Sequence, residues 1–180
     1  IKYSDIYRLY STSQPKDAIH QALREVPVDD SDEQYEDRSP LHLACQYGDT
    51  EGVKILLERD AEPNTKDANG STPIHILGRT SAGCADEDKL KEIAVMLIEQ
   101  GANIPRSAKN TTALIECIRN RHFKMAEAII DSGARVNSTD LNGENVLFGF
   151  CAASGDIRRD IRFAKKELDE SVQYRYPENK

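Results

Sequence analysis

The sequence predicts an all-α, elongated and non-globular solenoid of about five stacked helix pairs, joined by β-turn or hairpin loops. Three observations lead there. The anchors Pro40, Pro73, Ala113 and Val146 open similar stretches at spacings of 33, 40 and 33, and self-similarity at such a period marks a repeat architecture. Within a stretch, apolar residues recur at helical spacing, as Leu41, Leu43 and Ala44 and then Val53, Leu56 and Leu57 do in the first. Between stretches stand Asn69-Gly70 and Asn142-Gly143, pairs that supply the positive-φ corner of a tight turn.

The elements follow in chain order. Residues 1–38 hold a candidate N-terminal capping helix pair in "SDIYRLYSTSQPKDAIHQALREV", then the acidic loop "DDSDEQYED". The repeating part covers 39–171, in units near 39–66, 67–106, 107–139 and 140–171, with a short tail at 172–180. Ser39, Thr72 and Thr112 are placed to cap first helices, and Pro40 and Pro73 fall at the first helical position, where a missing N–H is harmless. From anchor to second-helix core the distance is constant: Pro40 to Leu56, Ala113 to Ile129 and Val146 to Arg162 are each 16 apart. The interval of 40 arises in the second unit, where "SAGCADED" adds about eight residues between the helices. Asp86 should cap a second helix longer by about a turn, and the segment from Ala82 to Glu87 should behave as a surface loop that tolerates deletion. At the far end Ile157, Ile161, Ala164 and Leu168 make one apolar stripe with Arg158, Arg159, Lys165 and Lys166 outside it. That pattern fits a terminal capping helix.

The unit openings "SPLH" (Ser39 to His42) and "TPIH" (Thr72 to His75), the loops "NTKDANG" and "NSTDLNG", and the turns "QGAN" and "SGARVN" resemble those of the ankyrin repeat family. Asp60-Ala61 stands at the matching turn of the first unit. The resemblance covers about residues 37–170, and the third and fourth units depart from it, since "TTALIE" and "ENVLFG" lack both Pro and His. It implies a structural histidine: His42 and His75 would hydrogen-bond a neighbouring turn, and His122 in "NRHFK" would sit at the turn between two helices.

Composition narrows the function. With 38% hydrophobic and 31% charged residues the chain reads as folded, not disordered. No stretch approaches the roughly 18 to 20 apolar residues of a membrane span, and "IKYSDIYRLY" has no signal-peptide core. The chain starts at Ile1 and not at a methionine, which fits a fragment or a processed product. Residues 1–90 carry 10 basic and 18 acidic side chains against 14 and 13 in residues 91–180, a field that argues against nucleic-acid binding. Cys45, Cys84, Cys117 and Cys151 form no CxxC pair, which argues against a zinc site. Cys45 recurs as Cys151, Cys117 falls one place earlier on its helix, and all three suit buried, inert thiols. His42 and Cys45 could be read as a base and nucleophile, but no orienting third group or oxyanion site accompanies them. No P-loop, GxGxxG, HExxH or GxSxG occurs. The expectation is a non-enzyme without cofactor or metal.

Stacked units make a long face of turn tips and first helices. Ankyrin-like arrays use that concave face for protein recognition, so the resemblance implies a protein-binding scaffold or adaptor. The competing expectation is a regulatory or substrate-docking arm of a larger enzyme or effector. Four thiols without an evident pairing suggest an intracellular location, cytoplasm or nucleus, and the array reads as a monomer. By analogy the partner-binding positions are Tyr35, Arg38, Gln46 and Tyr47 in the first unit, Lys66, Asn69 and Arg79 in the second, Lys109 and Arg119 in the third and Asn142 in the fourth. Ser71 and Thr80 fall on the same face by this register. Counted with Glu36 and Glu144, these positions hold five basic and two acidic residues, so the expected partner presents an acidic or phosphorylated segment.

Overall fold

A computed structural model describes residues 1–80, 86–103 and 112–133, and among them eight α-helices follow one another in pairs. The N-terminal pair is α1 (Tyr3–Ser11) and α2 (Lys16–Glu25). A single 3-10 turn at Glu33–Tyr35 leads into the first unit, α3 (Pro40–Gln46) and α4 (Thr50–Glu58). The second unit is α5 (Pro73–Gly78) with α6 (Glu87–Glu99), and the third is α7 (Ala113–Arg119) with α8 (Phe123–Asp131). No strand occurs among the described residues. The fourth unit, with Asn142, Cys151 and the expected C-terminal capping helix, lies outside them, as do Cys84 and Lys109.

First helices pack on first helices (α1, α3, α5, α7) and second helices on second helices (α2, α4, α6, α8), with each pair also closed on itself. This two-layer stack is an all-α solenoid. Its core runs without a break from Tyr3 and Ile6 through Leu43, Leu56, Leu77 and Ile93 to Ile118 and Ile129. A helix inside such a stack meets neighbours on three sides, so its buried surface is wider than one stripe. In α4 the buried residues are Gly52, Val53, Ile55 and Leu56, and Leu57 is only half-buried, where the stripe alone had suggested otherwise.

Local sequence explains the element ends. Ser39 and Thr72 cap α3 and α5 through capping boxes completed by His42 and His75, and the Thr112 hydroxyl accepts the Ile115 N–H. Asp67, Ala68, Asn69 and Gly70 form the turn between units, closed by the Gly70 N–H on the Asp67 carbonyl (2.8 Å), with Gly70 at φ +68°. Gly101 and Gly133 end α6 and α8 at φ +86° and +92°, and Asp60 occupies the same corner after α4 at φ +63°.

The N-terminal pair is docked by named contacts. The Asp49 carboxylate, capping α4, accepts from the Tyr10 hydroxyl (2.8 Å) and the Gly52 N–H (3.3 Å) and lies 3.0 Å from His20 Nε2. Arg59 reaches back to donate to the carbonyls of Leu23 (2.6 Å) and Val26 (2.7 Å) at the end of α2. The longer α6, 13 residues against nine in α4 and α8, is capped by Asp86 as expected. Its start is not idle surface, however. Glu87 accepts the Phe123 N–H (2.9 Å) and Asp88 pairs with Lys124 (2.6 Å) on the next unit. A deletion that includes Asp86 and Glu87 therefore removes one cap and an acceptor for the first amide of α8.

Two substitutions measure this frame. A Cβ at Gly52 would stand 2.6 Å from Asp49 Oδ2 and 2.9 Å from the Tyr10 hydroxyl. Gly52→Ala should lower the stability of the array by about 1–3 kcal/mol. Asp60→Gly relieves a left-handed corner and should raise stability by roughly 0.5–1 kcal/mol. Urea midpoints at unchanged slope check both.

Candidate functional site

The possible chemistry of His42 and Cys45 is decided by what surrounds them. His42 is fully buried. Its Nδ1 accepts the Ser39 N–H (3.2 Å), so that nitrogen carries no proton, and Nε2–H must be the donor to the Ser71 carbonyl at 2.9 Å. Burial holds its pKa below the ordinary histidine value, with the bond to Ser71 opposing in part. Cys45 is fully buried and burial alone pushes its thiol far up. Cys117 is in the same state, with Glu116 adding to the rise. Neither thiol can supply a thiolate near neutral pH. Among the described residues no group of three or more His, Cys, Asp or Glu could hold a metal ion, and no helix is long and apolar enough to cross a membrane.

His122, at the turn before α8 as expected, is buried and sets Nε2 2.6 Å from the Thr80 carbonyl of the preceding unit. His75 repeats the capping geometry of His42, with Nδ1 3.3 Å from the Thr72 amide nitrogen.

Among the described residues, the candidate partner-binding positions fall at turns and first-helix ends. Tyr47, closing α3, is 40% exposed and stacks on Tyr10 at 4.8 Å between ring centroids. Tyr35 is half-buried against Tyr7 (4.3 Å) and Tyr3 (5.7 Å). Lys66 is exposed and Asn69 half-exposed on the turn, where the Asp67 carboxylate accepts the Asn69 N–H (2.9 Å). Ser71 and Thr80 are buried, which takes both off the accessible face. They serve the frame instead, as carbonyl acceptors for His42 and His122.

The arginines are engaged from within. Arg38 donates to Gln46 (2.9 Å), pairs with Glu36, and has Nε 3.6 Å from Asp67. Arg79 donates to Ser71 (3.0 Å) and pairs with Glu116 across units at 3.2 Å. One period apart, Arg38 and Ser71 share a unit position, and so do Gln46 and Arg79. The same clasp between the residue before the cap and the residue closing the first helix is thus made twice, with the arginine at opposite ends. Asp67 and Glu116 were outside the sequence-based charge count, and each stands beside one of these arginines.

Sequence reading missed the tyrosines of α1. Tyr3, Tyr7 and Tyr10 stand at i, i+4 and i+7, so they share one helix face, and that face meets Tyr35 and Tyr47. Their spacing was the signal available.

Comparison with known proteins agrees with this architecture. Residues 22–77 match the family model described as ankyrin repeats in many copies. These units are ankyrin repeats. The chain is 38% identical over 69 residues to the Caenorhabditis elegans homolog of transient receptor potential cation channel subfamily A member 1, covering 38% of this chain and 6% of that protein. It is 30% identical over 133 residues to human neurogenic locus notch homolog protein 1, covering 74% of this chain and 5% of that protein. It is 29% identical over 124 residues to ankyrin repeat protein nuc-2 of Neurospora crassa, covering 68% of this chain and 10% of that protein. The chain thus spans a small fraction of the relatives it matches. Ankyrin repeats generally mediate protein–protein interaction and are generally not catalytic.

His42 makes the frame sensitive to acid. Its folded pKa lies below the unfolded one, so the unfolded chain binds the extra proton as pH falls. The contribution is fully present above the ordinary histidine value of about 6.5 and fades as pH drops through it. His42→Asn should be less stable than the parent by about 1–3 kcal/mol near pH 7, since a buried acceptor loses its donor. Between about pH 7 and 5 the variant should lose less further stability than the parent, which thermal melts across pH will show.

Proposed function

We propose that this ankyrin array is a non-catalytic protein-binding scaffold or adaptor, acting inside the cell as a monomer. The concave face formed by turn tips and first helices takes the partner. The supporting observation is the accessibility of Tyr47, Lys66 and Asn69 at a helix end and a turn tip of a closely packed frame. An exposed aromatic ring on a fixed helix end provides the kind of anchor that interface hot spots use. The expected acidic or phosphorylated segment of the partner would lie along Lys66, Lys109, Arg119 and Asn142. Where it meets Arg38 or Arg79, it must displace Glu36 or Glu116. That exchange favours specificity over raw affinity.

A second reading has its own support. The matched segment makes up only 5–10% of the human notch homolog and nuc-2 proteins, so this array also fits the docking or regulatory arm of a longer protein. A transcript joining it to a catalytic or effector domain would favour that reading.

Capture of the partner from lysate, identification by mass spectrometry and calorimetry with variants test the binding face. Tyr47→Ala and Lys66→Glu with Arg119→Glu should each weaken binding about tenfold or more, a loss in the hot-spot range. Lys91→Glu and Glu127→Lys, exposed on the second helices, should change it little. The reverse pattern would move the binding surface to the opposite layer.

A further inference from the structure

The face just described has a second, oppositely charged end. Five of the seven tyrosines of the chain meet along the seam between α1 and α3. Tyr3, Tyr7 and Tyr10 supply one side, Tyr35 and Tyr47 the other. Tyr47 is exposed and Tyr7 and Tyr35 are half-exposed, so part of their surface remains accessible along the seam. Beneath them, the Tyr3 hydroxyl is buried and lacks a hydrogen-bond partner among the described residues. Residues 27–37, which carry Tyr35, hold six carboxylates and no lysine or arginine. Of these, Asp29, Glu33 and Glu36 are exposed. Arg38, the cation within this rim, is held by Glu36, Asp67 and Gln46.

Ring faces carry negative electrostatic potential and attract a lysine ammonium or an arginine guanidinium set over them. An acidic rim adds long-range attraction of the same sign. We propose that the tyrosine seam between α1 and α3 receives arginine or lysine side chains of a basic segment of the protein partner. Charge complementarity singles out that occupant, since an acidic segment would be repelled here and an apolar one would leave the carboxylates without a counterion. This rests on the reading that the turn-tip face binds protein, and it makes that face bipolar: basic partner residues at the tyrosine end, acidic ones toward Arg119.

A capped hexapeptide of alternating glycine and arginine is the probe, titrated into the intact chain by calorimetry, with a glycine–glutamate peptide as its counterpart. The chain has no tryptophan, so tyrosine emission reports the seam in parallel. The arginine peptide should bind and shift that emission, and the glutamate peptide should do neither. Tyr47→Ala should weaken binding about three- to fivefold, the range of an exposed cation–π contact, and Tyr47→Phe should retain it. Glu33→Lys with Asp29→Lys, all at exposed positions, should weaken it at least as much at low salt. Equal binding of both peptides, no binding of the arginine peptide, or loss with the lysine variants but not with Tyr47→Ala would each overturn the proposal. The last outcome would reduce the effect to diffuse attraction. Arg119→Glu should leave arginine-peptide binding intact, because Arg119 closes α7, which packs on α5 and is separated by it from the seam. A captured partner that needs Lys66 and Arg119, beside an arginine peptide that fails to bind, would leave the binding face standing and remove only this inference.

Discussion

The two ring nitrogens of His42 face different units. Nδ1 takes the amide of Ser39, which fixes where α3 starts, and Nε2–H gives to the Ser71 carbonyl, which fixes where the next turn sits. That carbonyl also accepts the Asp67 N–H (2.9 Å) and so closes the turn itself. A helix start, a turn and the spacing between units are therefore set by one neutral imidazole. Because a buried donor or acceptor left without its partner is strongly unfavourable, neither end can shift without the other.

Other bonds extend the same logic to the edges. Helix ends leave carbonyls and amides without partners inside the helix, and here neighbouring units satisfy several of them. Arg59 takes the last carbonyls of α2, Glu87 takes the first amide of α8, and Asn120 donates to the Gly78 carbonyl at 3.0 Å. On the turns, the Ala68 N–H bonds the Glu36 carbonyl (2.8 Å), and Asn64 both donates to the Gly101 carbonyl and accepts the Asn103 amide. A pair of short helices would be marginal alone. Stacked, each finishes the hydrogen bonding of its neighbour, and a rigid ledge results on which side chains such as Tyr47 and Lys66 can vary freely.

Charge on that ledge depends on pairing more than on composition. Arg38 and Arg79 read as binding residues when counted along the chain, yet Gln46, Glu36, Asp67, Ser71 and Glu116 occupy their guanidinium groups. Half-buried pairs of this kind tie one unit of the face to the next. The acidic loop ahead of α3 differs, since Asp29 and Glu33 are exposed.

The sequence by itself determined the four helix pairs of the described residues, their order, the caps at Ser39, Thr72, Thr112 and Asp86, and the burial of Cys45 and Cys117. All of these follow from contacts within a few residues or from a period repeated along the chain, and both are visible in one dimension. Tertiary structure alone decided that Asp49 joins Tyr10 and His20, that Arg59 closes α2, that the start of α6 supports α8, and that Tyr35 and Tyr47 complete the stripe of Tyr3, Tyr7 and Tyr10. Those partners are about one unit apart in the chain and share no local pattern. Only the stacking of one helix layer on the next brings them within bonding distance.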